Sequence, residues 1–94
     1  MTITKKEQGT ELELVLSGRL DTTTSPILEA ELKKLGNDVT MLIMDFSELE
    51  YISSAGLRIL LAAQKVMNKQ GSMVVRHVNE SVMDVFEITG FADI

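Results

Sequence analysis

Apolar positions change their spacing several times along the chain, and each change predicts an element. Residues 11–17, ELELVLS, alternate and then turn apolar, which predicts a strand. GRLDTTTSP follows as a loop. Ser25 and Pro26 then open a helix, with serine as N-cap and proline at the first helical position. Ile27, Leu28, Leu32 and Leu35 recur at helical spacing; Lys33 and Lys34 fall in the predicted last turn, and Gly36 is the predicted stop. Residues 39–44 form a continuous apolar run, the pattern of a strand buried on both faces. A long helix is predicted over residues 55–70, ended by Gly71. SMVVRHV, residues 72–78, reads as a third central strand. Asn79 is the predicted cap of a last helix in which Val82, Val85, Phe86 and Thr89 share a stripe and which Gly90 ends. Residues 2–6 add an edge strand.

This order implies right-handed crossovers and a mostly parallel sheet with helices packed on it: an α/β fold. At about 100° per residue, Ala55, Ile59, Leu60, Ala62, Ala63, Val66 and Met67 form one arc of the long helix, predicted to face the sheet. Arg58, Gln64, Lys65, Asn68 and Lys69 take the other side. Leu57 and Leu61 fall among those polar residues, one turn apart. Either a neighbouring helix covers them or they form an apolar ridge for a partner.

Composition narrows the function. Ninety-four residues suit one small domain, and 45% hydrophobic with 24% charged residues reads as globular and soluble. The absence of cysteine excludes disulfides and thiolate chemistry and fits a cytoplasmic protein. No apolar run resembles a signal peptide or reaches the ~20 residues of a membrane span. A net charge of −5 and scattered basic residues argue against nucleic acid as the ligand. There is no glycine-rich phosphate loop, nucleophile elbow or metal-ligand cluster, so no catalytic, cofactor or metal site is predicted. The single histidine, His77, is read as structural, and Asp45, Glu48 and Glu50 as a solvated link.

In open α/β sheets, sites gather at the carboxyl ends of strands. That end is predicted to collect Asp21, Thr22, Thr23 and Thr24, then Ser53 and Ser54 before the long helix, and Asn79. Ser54 is thereby placed beside free backbone N–H groups at the positive end of a helix dipole, where it serves as a cap or takes an added phosphate. Physical chemistry alone leaves both open. Nucleotide binding at the same terminus has only the dipole in its favour.

GRLDTTTSP, MDFSELEYISSAGLRILL and GFADI, in that order over essentially the whole chain, resemble a STAS domain of the bacterial anti-sigma factor antagonist type. The resemblance implies a non-catalytic switch over one STAS domain, residues 1–94. Its partners would be an anti-sigma factor that is also a serine kinase and a PP2C-type phosphatase. Aligned on Gly56 and Leu57, the phosphoacceptor falls on Ser54, with Ser53 as the alternative acceptor, and Asp21 matches an acidic residue near it. The implied partner surface comprises Asp21, Thr22, Thr23, Thr24, Ser53, Ser54, Gly56, Leu57 and Leu61. Two departures are evident. Ser53 stands where the family pattern has Asp, which favours, as the other reading, a constitutive scaffold subunit of a signalling or transport complex. The chain also stops at Ile94, where relatives continue into a further strand or helix, as a truncated or minimal member would.

Overall fold

In a computed structural model of the chain, which describes residues 1–89, four strands form one sheet in the order β1-β2-β3-β4. β1 (Thr2–Gln8) pairs antiparallel with β2 (Glu11–Leu20), and β2 pairs parallel with β3 (Met41–Ile52), which pairs parallel with β4 (Ser72–Arg76). α1 (Ser25–Leu32) and α2 (Ser54–Gln70) are the crossovers, and α3 (Glu80–Thr89) follows β4. This is the expected mostly parallel α/β sheet with an antiparallel edge.

Both crossovers step in the same direction across the sheet, so crossovers of one hand place α1 and α2 on one face. The core confirms this. Leu12, Leu14 and Leu16 of β2, and Leu42, Met44 and Phe46 of β3, alternate inward. Leu28 of α1, Leu60, Ala63 and Met67 of α2, and Val82 and Phe86 of α3 join them in one cluster. Among the described residues the other face stays open, with Glu13, Ile43 and Val74 aligned across it. Residues 39–44 are therefore not buried on both faces as their apolar run predicts; a single layer of helices covers one face only. β4 is likewise an edge strand, not a central one, and ends at Arg76.

Two strands extend beyond their predicted ends for one reason: each is the other's partner. β2 continues through Gly18, Arg19 and Leu20, and β3 through residues 45–52, with Arg19 opposite Tyr51 and Leu20 opposite Ile52. Register shifts between Val15 and Ser17 and between Gly18 and Arg19 absorb the mismatch. The acidic stretch of β3 is thus strand with outward Glu48 and Glu50, not a link.

α1 departs at both ends. Its N-cap position is Thr24, and Ser25 is its buried first residue, whose hydroxyl donates to the Asp21 carbonyl at 2.6 Å. The helix stops at Leu32 rather than at Gly36, so Lys33 is its C-cap and Lys34 lies beyond it. There the N–H groups of Lys34 and Leu35 bond three residues back, to Glu31 and Leu32, and the chain tightens out of the α geometry.

Candidate functional site

The carboxyl ends of β2 and β3 are tied together where the sequence places its candidate site. The Ser53 N–H donates to the Leu20 carbonyl at 2.9 Å, which sets the start of α2 beside the loop that begins at Asp21. That loop is a closed hydrogen-bonded turn. One Asp21 carboxylate oxygen accepts from the backbone N–H groups of Thr23 (3.0 Å) and Thr24 (3.1 Å) and from the Thr24 hydroxyl (3.2 Å). The Thr24 hydroxyl has one proton, shared between that carboxylate and the Arg19 carbonyl 2.7 Å away. The Thr24 and Thr23 N–H groups, together with the Arg19 guanidinium 3.7 Å away, outweigh partial burial and hold the Asp21 carboxyl below its usual range. Thr22 and Thr23 remain exposed at the tip.

At the head of α2 the two serines divide the work. Ser53 is the N-cap, in extended conformation, and its hydroxyl oxygen accepts from the Gly56 N–H at 3.4 Å, a long bond. Ser54 begins the helix one residue earlier than predicted. Its side chain is exposed and makes no hydrogen bond among the described residues. The cap expected of Ser54 thus belongs to its neighbour, because the helix starts before Ala55. Ser54 is left with a free hydroxyl over the first turn, where backbone donors lack helical partners.

Gly56 fixes how α2 meets the sheet. A Cβ there would lie 2.8 Å from a Leu20 side-chain carbon and 2.9 Å from one of Ile52, so any larger residue would force those side chains to shift. The contact also sets the rotation of the helix. Gly56, Leu57, Leu60, Ala63 and Met67 are buried, whereas Val66 is 44% exposed and Ala62 is also exposed. The inward arc is therefore rotated from the predicted one, and Leu57, at 5% exposure, belongs to the core. Gly56 and Leu57 do not form surface. Leu61 is half-buried.

Sequence reasoning missed Arg19 and Tyr51. The Arg19 guanidinium lies 4.4 Å from the Tyr51 ring centroid, over its face, and beside Asp21. The signal was the pairing of Arg19 with Tyr51, which is visible only once β3 is known to run to Ile52.

His77 and Asn79 serve other ends. His77 follows β4 with a positive φ of 59°, and its Nδ1 lies 3.0 Å from Asp45. Burial pushes the Asp45 carboxyl up, but bonds from Ser47 and His77 outweigh it and leave it below the usual range. Asp45 pairs with Val15 and Arg76 well before the end of β3, roughly 20 Å along the strand from Ser53. The histidine is thus remote from the serines. Asn79 does cap α3, accepting from the Val82 N–H at 2.8 Å, and its amide donates to the Leu49 carbonyl at 2.6 Å. The predicted stop at Gly90 and the rest of 90–94 lie outside the described residues. Among those described, no cluster suited to a metal is present, and no helix is long and apolar enough to cross a membrane.

Comparison with known proteins bears on this site. Residues 3–94 match the family model described as Mlab, STAS domain. A Bordetella bronchiseptica protein named as an anti-sigma factor antagonist, BtrV, is 38% identical over 84% of this chain and 70% of its own length. The anti-sigma-B factor antagonist of Bacillus subtilis is 27% identical over 95% of this chain and 83% of its own. The unphosphorylated anti-sigma factor antagonist SpoIIAA shares the fold, with a TM-score of 0.85 at 18% identity over 98% of this chain and 84% of that one. The phosphorylated form of the Bacillus SpoIIAA superposes with a TM-score of 0.76 at 17% identity, over 98% and 86%.

Proposed function

The chain belongs to the STAS domain family of anti-sigma factor antagonists, and we propose that it is a non-catalytic binding switch set by phosphorylation of Ser54. The unphosphorylated chain binds an anti-sigma factor serine kinase, phosphorylation ends that binding, and a PP2C-type phosphatase restores it. One observation carries the reading. Ser53 does the capping, so the Ser54 hydroxyl is exposed and unbonded at the helix start. The existence of a phosphorylated form of SpoIIAA, which shares this fold, supports it.

In the modification, Ser54 Oγ forms a phosphoester bond as the γ-phosphoryl group's bond to ADP breaks. The hydroxyl proton passes to a base of the kinase. The added group carries about −1.5 to −2 charges at neutral pH. The first-turn N–H groups and the helix dipole accommodate that charge, so the fold changes little. The effect falls on the partner surface formed by Asp21, Thr22, Thr23, Thr24, Ser53, Ser54 and Leu61. That surface becomes bulkier and more acidic in a chain already at −5. Unit charges ~4 Å apart at intermediate dielectric exchange on the order of a few kcal/mol, which weakens a complex by roughly ten- to a thousandfold.

The test is titration of the purified chain against candidate anti-sigma factor serine kinases of its organism, before and after modification. The expected result is binding that weakens at least roughly tenfold on phosphorylation. Equal affinity of the two forms would favour the constitutive scaffold reading instead.

A further inference from the structure

The nine basic residues separate into two sets by what surrounds them. Lys5, Lys6, Arg19, Lys34 and Arg76 each pair with a carboxylate. The other four, Lys33, Arg58, Lys65 and Lys69, are exposed and form no ion pair among the described residues. Lys33 lines one groove, and the other three lie on the helix that walls it. α2 carries three of them and no acidic residue at all, in a chain whose net charge is −5.

The groove, of about 300 Å³, lies between α1 and α2. Leu32 and Leu35 form its wall on the α1 side, and Ile59, Ala62 and Val66 its wall on the α2 side. Ala62 and Val66 are residues the sequence pattern turns toward the sheet and the rotation of α2 leaves exposed, while Ile59 stays half-buried against the core. At about 100° per residue, Arg58, Lys65 and Lys69 run as a ridge beside the α2 wall, and Lys33 stands at the opposite rim. Glu29 is the one carboxylate lining the groove.

We propose that this groove is a docking site for an acidic amphipathic helix of a partner protein. Its apolar stripe would enter between α1 and α2, and its carboxylates would meet the four unpaired cations. Charge complementarity selects this occupant. An apolar helix without acids would leave the cations unanswered, and a second copy docking groove to groove would set the same four cations against each other. The groove lies farther along α2 than the serine switch, with Arg58, one turn beyond Ser54, the cation nearest to it.

The probe is a synthetic helix of about 18 residues, long enough to fold on contact, with leucines at i, i+3, i+4 and i+7 and glutamates elsewhere. A control carries lysines in place of the glutamates. Titration into isotope-labelled protein should give saturable binding of the acidic peptide, with amide shifts centred on Leu32, Ile59 and Val66. Affinity should fall as salt rises and the Debye length shortens from about 30 Å to about 8 Å. The double variant Lys65→Glu, Lys69→Glu should bind roughly tenfold more weakly or worse, and Val66→Glu should abolish binding. All three positions are exposed, and thermal melts matching the wild type establish that each variant is folded. Ser54→Ala should bind as the wild type does, which keeps this test independent of the switch. Equal binding of the two peptides, shifts centred elsewhere, or indifference to the double reversal would overturn the proposal. So would preference for phosphatidylglycerol vesicles over the peptide, which would make the occupant a membrane.

Discussion

The two ends of α2 show opposite uses of the same helix. At its C-terminal end the helix is fastened to the segment before β3. The Gln70 side chain donates to the Gly36 carbonyl at 2.9 Å and to the Val39 carbonyl at 2.7 Å, and the Ser72 N–H bonds to Thr40 at 2.9 Å. At the N-terminal end one hydroxyl makes a long cap bond and the next makes none. The helix is anchored at its C-terminal end, by the Ser53 backbone and through its buried stripe, so its head can carry a chemically free serine side chain without putting the fold at risk.

Substitutions graded along α2 test this contrast. The largest effect is expected at Gly71, where an added Cβ would lie 1.9 Å from the Thr40 carbonyl oxygen, which is backbone and cannot swing aside. Gly71→Ala should cost about 3 kcal/mol or more by urea denaturation, or prevent folding. A loss under about 1 kcal/mol would show that the fastened end is not fastened. Gly56→Ala should cost less, about 1–2 kcal/mol. There the added methyl meets side chains that can shift, and the helical preference for alanine returns part of the loss.

The serines come next. Ser53→Ala removes the cap and should cost about 1 kcal/mol, whereas Ser54→Ala should stay within about 0.5 kcal/mol of the wild type. The same melts decide both. A larger loss at Ser54 than at Ser53 would reverse the assignment of the cap.

The smallest effect is that of pH at the neighbouring turn. The folded-state pKa of Asp21 is depressed, so its contribution is complete above the unfolded value of about 3.9 and is lost as pH falls through the lower folded value. Melting curves of the wild type and Asp21→Asn should therefore run parallel from neutral pH to about pH 5 and converge below about pH 4. A gap that widened on acidification would contradict the turn's hydrogen bonding.

How far the sequence reveals this molecule depends on whether a residue's surroundings are local. The helix–strand order, the edge strand and the Asn79 cap follow from spacing and neighbouring residues, and all are present. The start of α2 was legible to one residue, and that residue moved the cap from Ser54 to Ser53. The extensions of β2 and β3 were not legible, since Glu48 and Glu50 look solvated and only Arg19 and Leu20 across the sheet make their stretch a strand. The rotation of α2 was hidden for the same reason. Periodicity gives an apolar arc, but the Gly56 approach to Leu20 and Ile52 decides which part of that arc meets the core.

The central claim is that Ser53 caps and Ser54 accepts. Intact-mass measurement of the wild type, Ser53→Ala and Ser54→Ala after incubation with an anti-sigma factor serine kinase of its organism that phosphorylates the wild type, and ATP, tests it most directly. One phosphate on the wild type and on Ser53→Ala, with none on Ser54→Ala, is the predicted result. A full phosphate on Ser54→Ala would contradict it and move the switch to another residue.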